Sequence, residues 1–285
     1  MRRALVLAGG GYVASSWEIG LVAGIADAGL DLRDADLFVG TSAGARVALD
    51  LTGGEPLETI YQRRAESDGP PLGAPPRIDW ARIKAGVAEA RQAGGSPADI
   101  LRKYGALALE TAVGTAAERR PAVAGQIPLA AWPDQRVLIT AINAETGERR
   151  AFDRDSGIDV VDAVIATTAA FGAPPLPFEG HHYIDGGYYS GDNADLAAGY
   201  DRVLILSLIA PPEAMRLVTL EAAVETLRAG GAQVEVIHPD AATMEALVAT
   251  GGQMNPASGR PAAIAGRLQG QRDAASGALA AFWRG

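Results

Sequence analysis

The chain has 285 residues, 48% of them hydrophobic and 21% charged, which is ample for a buried core and too apolar for a disordered or solvating acidic segment. Its formal net charge of −9 argues against nucleic acid, which is bound through Lys and Arg on phosphates, and against simple attraction to anionic membranes. Cysteine is absent, which excludes disulfides, thiolate metal sites and a cysteine nucleophile.

After Met1-Arg2-Arg3 the apolar run Ala4 to Ala8 is too short for a signal-peptide core. No run approaches the roughly 18 apolar residues of a membrane span, so a soluble cytoplasmic protein is expected. ALVLAGGG, residues 4–11, reads as a buried strand entering a glycine loop. Trp17, Ile19, Leu21, Val22 and Ile25 then recur at helical spacing, with Gly29 as the C-terminal cap. DLFVG is a second buried strand and SAGARVALDLTGG a second helix. Strand, helix, strand, helix implies parallel strands joined by right-handed crossovers.

From Glu55 to Ala131 the chain turns alanine-rich and charged, with helix-period stretches such as RIDWARIKAGVAEARQ. This predicts a helical insertion, residues 55–131, placed to wall or cover a site, with Pro70 to Pro76 as a stiff connector. Strands resume at RVLITAIN, RRAFD, HHYID, RVLILSL and QVEVIHP, with VVDAVIATTAAF a buried helix among them. A helical tail from Arg260 to Trp283 is expected to pack through Leu268, Leu279, Phe282 and Trp283. The alanine and glycine bias reads as compositional, with no function attached. The expectation is an α/β fold: a mostly parallel central sheet flanked by helices, in one domain over residues 1–285.

The chemistry concentrates in three short stretches. Gly40 to Gly44 form a G-x-S-x-G pattern between a strand and a helix, where Ser42 is forced outward and small residues let the turn close. The helix that follows points its positive dipole end at Ser42. Gly9-Gly10-Gly11 expose backbone N–H groups as an anion cradle. The continuation Tyr12-Val13-Ala14 fits neither G-x-G-x-x-G nor a P-loop, so an oxyanion hole is the better account beside a serine elbow. Asp185 follows a short apolar strand and precedes Gly186 and Gly187. A carboxylate there can serve as the base for a serine, and D-G-G is also a common turn. In a strand His181 would share the face of Asp185 and His182 the opposite one; both read as surface residues, and His238, before Pro239, as structural.

The glycine triplet, GTSAG on the second strand and DGG far downstream together resemble the patatin-like phospholipase family, over Ala4 to about Trp283. ATTAAFGAPPLPF resembles the family's segment ahead of the DGG strand, and Asn193 the asparagine that commonly follows it. The resemblance implies a serine lipid acyl hydrolase with Ser42 as nucleophile, Asp185 as base and the amides of Gly9, Gly10 and Gly11 as oxyanion hole. Gly40, Gly44, Gly186 and Gly187 support the motifs. It further implies a lipid or other acyl ester as substrate and no cofactor or metal; transient membrane contact is left open by the sequence. One departure stands out: where the family usually reads G-G-G-x-R-G, this chain has Val13 and Ala14. Weaker anion stabilisation and a preference for neutral esters over phospholipids are therefore expected; Arg46 in the nucleophile helix is read as an exposed helix charge, the other reading being a substitute for the missing arginine. The rival readings are a catalytically silent relative binding lipid or protein, and a Ser-His-Asp esterase using His181 or His182, whose order runs against Ser, Asp, His.

Overall fold

The computed structural model describes residues 1–66, 78–208, 216–249 and 254–285; the expected connector from Pro70 to Pro76 lies outside them. β1 (Arg3–Leu7) and β2 (Leu37–Gly40) are continuous apolar runs because both faces of the sheet are covered. β2 and β7 (Arg202–Leu206) flank β1 in parallel, and β8 (Gln233–Ile237) extends the sheet beyond β7. β3 (Val137–Asn143) lies parallel beside β2. Three antiparallel strands complete the eight-stranded sheet: β4 (Arg149–Phe152), β5 (Leu176–Phe178) and β6 (His181–Asp185). β5 was not expected, because Pro177 interrupts the strand signal; proline is tolerated in short or edge strands.

The register on β3 fixes what comes next. Ile139 pairs with both Gly40 and Phe152, so β2 and β4 take opposite edges of β3. Ala141 pairs with both Arg150 and Asp185, so β6 and β4 do the same. β2 and β6 therefore follow one another along a single edge of β3, running in opposite directions. Their C-terminal ends meet head-on, Gly40 opposite Ile139 and Asp185 opposite Ala141.

α1 (Gly11–Asp27) joins β1 to β2. It ends as expected at Gly29, whose φ is +85: the Gly29 amide donates to the Ala26 carbonyl and the Leu30 amide to that of Ile25. From Val13 to Ile25 the helix is buried all round, because α10 (Gly259–Ala275) covers the face turned away from the sheet. A Cβ on Gly20 or Gly24 would strike the carbonyls of Ala263 and Arg267, and one on Gly266 or Gly270 those of Trp17 and Leu21. The glycine bias thus has a use: it lets these two backbones touch. Of the four residues expected to pack the tail, Leu279 and Trp283 are buried and Phe282 is partly buried against the core, whereas Leu268 is 51% exposed; within α10, Ala262, Ala263 and the glycines form the contact instead.

α2 (Ala43–Thr52) follows the serine turn. In its described part the 55–131 segment forms four helices: α3 (Leu57–Ala65), α4 (Trp80–Gln92), α5 (Pro97–Thr111) and α6 (Ala116–Ala124). α3 packs on α1 and α10, α5 on α4, β3 and β6, and α6 on α7 (Val160–Thr167). α8 (Leu220–Ala229), α9 (Ala241–Ala249) and α11 (Ala278–Arg284) complete the flanking layers. Among the described residues no helix is long and apolar enough to cross a membrane.

Candidate active site

Ser42 sits between β2 and α2 with φ +53 and ψ −116, a region that costs a residue with a side chain of order 1–3 kcal/mol. Its neighbours impose the turn. A Cβ on Gly40 would stand 2.5 Å from Ala45 Cα, and one on Gly44 would strike the Leu7 carbonyl. The Ser42 amide donates to Thr167 Oγ1 at 2.9 Å, which ties the elbow to α7.

The glycine loop lies directly against this serine, since a Cβ on Gly9 would approach Ser42 Cβ to 3.2 Å. Gly10, with φ +153, has no room for a side chain between Ala14 and Leu208. The three amides are not equivalent. That of Gly9 donates to the Gly191 carbonyl at 2.9 Å, so the expected three-amide cradle is narrowed to Gly10 and Gly11. Those two amides, at the N-terminus of α1, make no hydrogen bond among the described residues. Val13 and Ala14 are wholly buried in the core and do not line the cleft.

Asp185 ends β6 and is 7% exposed. Its Oδ1 accepts the Gly187 amide at 2.8 Å, and a Cβ on Gly186 would strike Thr140 Oγ1. Burial pushes the carboxyl pKa from 3.8 up to about 6, against the opposing pulls of the Gly187 amide, hydrogen bonding by the Ser42 side chain, and the charges of Arg216 and Arg119. Asn193, wholly buried with φ +52, locks the assembly. Its Nδ2 donates to Thr41 Oγ1 at 3.0 Å and to the carbonyls of Ser190 (2.8 Å) and Gly186 (3.3 Å), joining the turn after β6 to the end of β2.

The histidines lie elsewhere. His182 Nδ1 pairs with Glu145 Oε1 at 2.7 Å, His181 Nδ1 is 3.8 Å from the same carboxylate, and His238 Nδ1 donates to the Ser207 carbonyl at 2.9 Å. None lines the cleft of about 460 Å³ onto which Ser42, Asp185 and the glycine loop open, so the Ser-His-Asp arrangement has no histidine to use.

Three arginines do line that cleft: Arg46 of α2, Arg119 of α6, and Arg216. Arg46 was expected on the surface, yet its Nε is sealed from solvent. The signal was available, since residue 46 lies one helical turn beyond Ser42 on the same face. Arg119 arrives from the inserted helices and Arg216 from the segment after β7; no local pattern marks either. Trp80 of α4 stands at the cleft as well, 60% exposed.

A family model described as Patatin-like phospholipase matches residues 5–198. No curated protein matches the chain. Among solved structures the chain is similar to VipD from Legionella pneumophila, with 13% identity and a TM-score of 0.38 over 87% of this chain and 53% of that one. It is also similar to the type III effector protein ExoU, with 16% identity and a TM-score of 0.37 over 95% of this chain and 53% of that one. The chain spans about half the length of either structure.

Proposed function

This chain belongs to the patatin-like phospholipase family, and on that premise we propose that it is a serine lipid acyl hydrolase that cleaves carboxylic esters through Ser42 and Asp185. The observation that carries the reading is the head-on meeting of β2 and β6, which puts a strained serine and a buried carboxylate on one cleft.

In the proposed reaction Asp185 accepts the hydroxyl proton as Ser42 Oγ bonds to the ester carbonyl carbon. The resulting oxyanion is stabilised by the Gly10 and Gly11 amides and the positive end of α1. Collapse of the tetrahedral intermediate breaks the bond to the alcohol oxygen, which takes the proton from Asp185. A water, deprotonated by the same carboxylate, then attacks the acyl carbon; the bond to Ser42 Oγ breaks, Oγ takes the proton back from Asp185, and the acid leaves. A base with a pKa near 6 suits this two-way proton traffic near neutral pH. The 55–131 insertion serves as a wall of the cleft, through Trp80 and Arg119.

A short p-nitrophenyl ester and a fluorophosphonate probe test the reading. Ser42→Ala and Asp185→Asn should each abolish turnover, a double His181→Ala, His182→Ala change should leave most of it, and the probe should label Ser42. Turnover surviving Asp185→Asn would sink the dyad, and an unlabelled Ser42 would favour the silent alternative.

A further inference from the structure

With valine at position 13, the loop offers no cation to the cleft, and a neutral ester would be the natural substrate. The cations come from other elements. Arg46 and Arg119 line the cleft beside Ser42 in a chain whose net charge is −9. Many arginines here are neutralised by a carboxylate, as Arg64 is by Asp50 at 2.8 Å and Arg149 by Asp195 at 2.6 Å. Among the described residues neither Arg46 nor Arg119 forms an ion pair. Arg46 Nη1 donates to Gln126 Oε1, and Arg119 Nη2 donates to Thr168 O (3.3 Å) and Oγ1 (3.2 Å), all neutral acceptors. Arg46 Nε and Arg119 Nη1 are buried with no acceptor among the described residues.

Such an arrangement is unfavourable as it stands. Burial penalises both guanidinium charges and Arg46 is further repelled by Arg119; Tyr12 and Asp50 offset part of this at Arg46, and Asp185 part of it at Arg119. A buried donor left without an acceptor adds a desolvation penalty of its own. An oxyanion in the cleft would relieve the burial penalty and the repulsion together, and its geometry matches the planar guanidinium fork.

We propose that Arg46 and Arg119 form an anion subsite beside Ser42, so that this chain selects acyl esters carrying a phosphate or carboxylate group close to the scissile bond. The subsite replaces, from α2 and α6, the cation that the loop lacks. As a statement about substrate it rests on the hydrolase reading; as a statement about anion binding it does not. Arg46 is the cleaner probe of the two, because Arg119 also acts on the charge of Asp185 whereas Arg46 is not among the groups that shift it.

The test uses esters with one octanoyl chain on three alcohols: a neutral alcohol, glycerol 3-phosphate and a hydroxy acid. In the native protein kcat/KM should favour an anionic ester over the neutral one by about tenfold or more, the range of a charged hydrogen bond. That ratio should fall by about tenfold in Arg46→Gln and stand between the two in Arg46→Lys, with the pH profile on the neutral ester keeping its midpoint. A native ratio near one, or equal loss on all esters, overturns the subsite. A second arm needs neither turnover nor a variant: calorimetric titration of the native protein with octyl phosphate, octanoate and octanol. Saturable binding of an anion without binding of octanol supports the subsite, and the tighter anion identifies the source as phosphoryl or carboxylate; binding of none, or of all three alike, overturns it. If no ester is cleaved, the hydrolase reading falls and the titration alone decides the subsite.

Discussion

At Asp185 one carboxyl serves both the fold and the proposed reaction, and the two pull against each other. Burial raises its pKa from 3.8 to about 6, so between roughly pH 4 and pH 6 the native chain holds a proton that the unfolded chain has released. Stability should therefore fall as pH rises through that window and stay lowered above it, by about 3 kcal/mol at one pKa unit per 1.36 kcal/mol. Asp185→Asn, which keeps an acceptor for the Gly187 amide, should be more stable than the native chain at pH 7 by about that amount. The difference should vanish below about pH 4; urea unfolding at both pH values checks it, and a destabilised variant at pH 7 would refute it. Activity has the opposite slope. If ionised Asp185 is the base, kcat/KM should rise with pH through an apparent pKa near 6, about tenfold per unit on the acid side. Ser42 and Asp185 were legible in the sequence because each sits in a short motif whose glycines leave no alternative backbone: Gly44 faces the Leu7 carbonyl and Gly186 faces Thr140. The uses of Gly9, Arg119 and Arg216 were not legible, because each depends on a partner from a distant element: Gly191, Thr168 and Gly191 respectively.

Between elements the decisive contact is that of α1 with α10. Its glycines recur four residues apart, at 20 and 24 and at 266 and 270, and so fall on one face of each helix. Within a single helix such a spacing says only that helix propensity is low. Its meaning appears when the opposite end of the chain supplies the partner, which is why sequence reading registered a compositional bias and looked to Leu268, Leu279, Phe282 and Trp283 to pack the tail. Gly24→Leu would drive a side chain into the Arg267 carbonyl and should lower stability by about 3 kcal/mol. Gly125→Ala is the matched control: φ there is −66 and a Cβ would meet nothing closer than 3.5 Å, so it should stay within about 0.5 kcal/mol of the native chain. Thermal unfolding of both variants makes the comparison, and equal stabilities would show that the backbones separate without loss. The same contact seats the glycine loop, because α1 begins at Gly11; Gly24→Leu should therefore slow turnover even where the chain remains folded.

For the molecule as a whole, the family match ends at residue 198 but the architecture does not. β7 follows that point and lies against β1 in the middle of the sheet, with Val203, Leu204, Ile205 and Leu206 fully buried. α10 covers α1, and Trp283 is fully buried with Nε1 donating to Asp34 Oδ1 at 2.7 Å. A chain ending at Ala198 would expose the whole edge of β1, leaving unpaired backbone groups beside a stripped apolar face. That truncation should lack a cooperative unfolding transition. The full chain, proposed as a single domain, should instead unfold in one step, with matching calorimetric and van't Hoff enthalpies. Trp283→Ala offers an intermediate case that keeps every strand: it should cost about 3–5 kcal/mol while leaving one transition. Two separated transitions in the native chain, with the first abolished by truncation at Ala198, would show that residues 1–198 fold alone and that the second half of the sheet is an accessory. The pairing of β1 between β2 and β7 argues against that outcome, since the strand that leads into the glycine loop is held from both sides only when the C-terminal segment is in place.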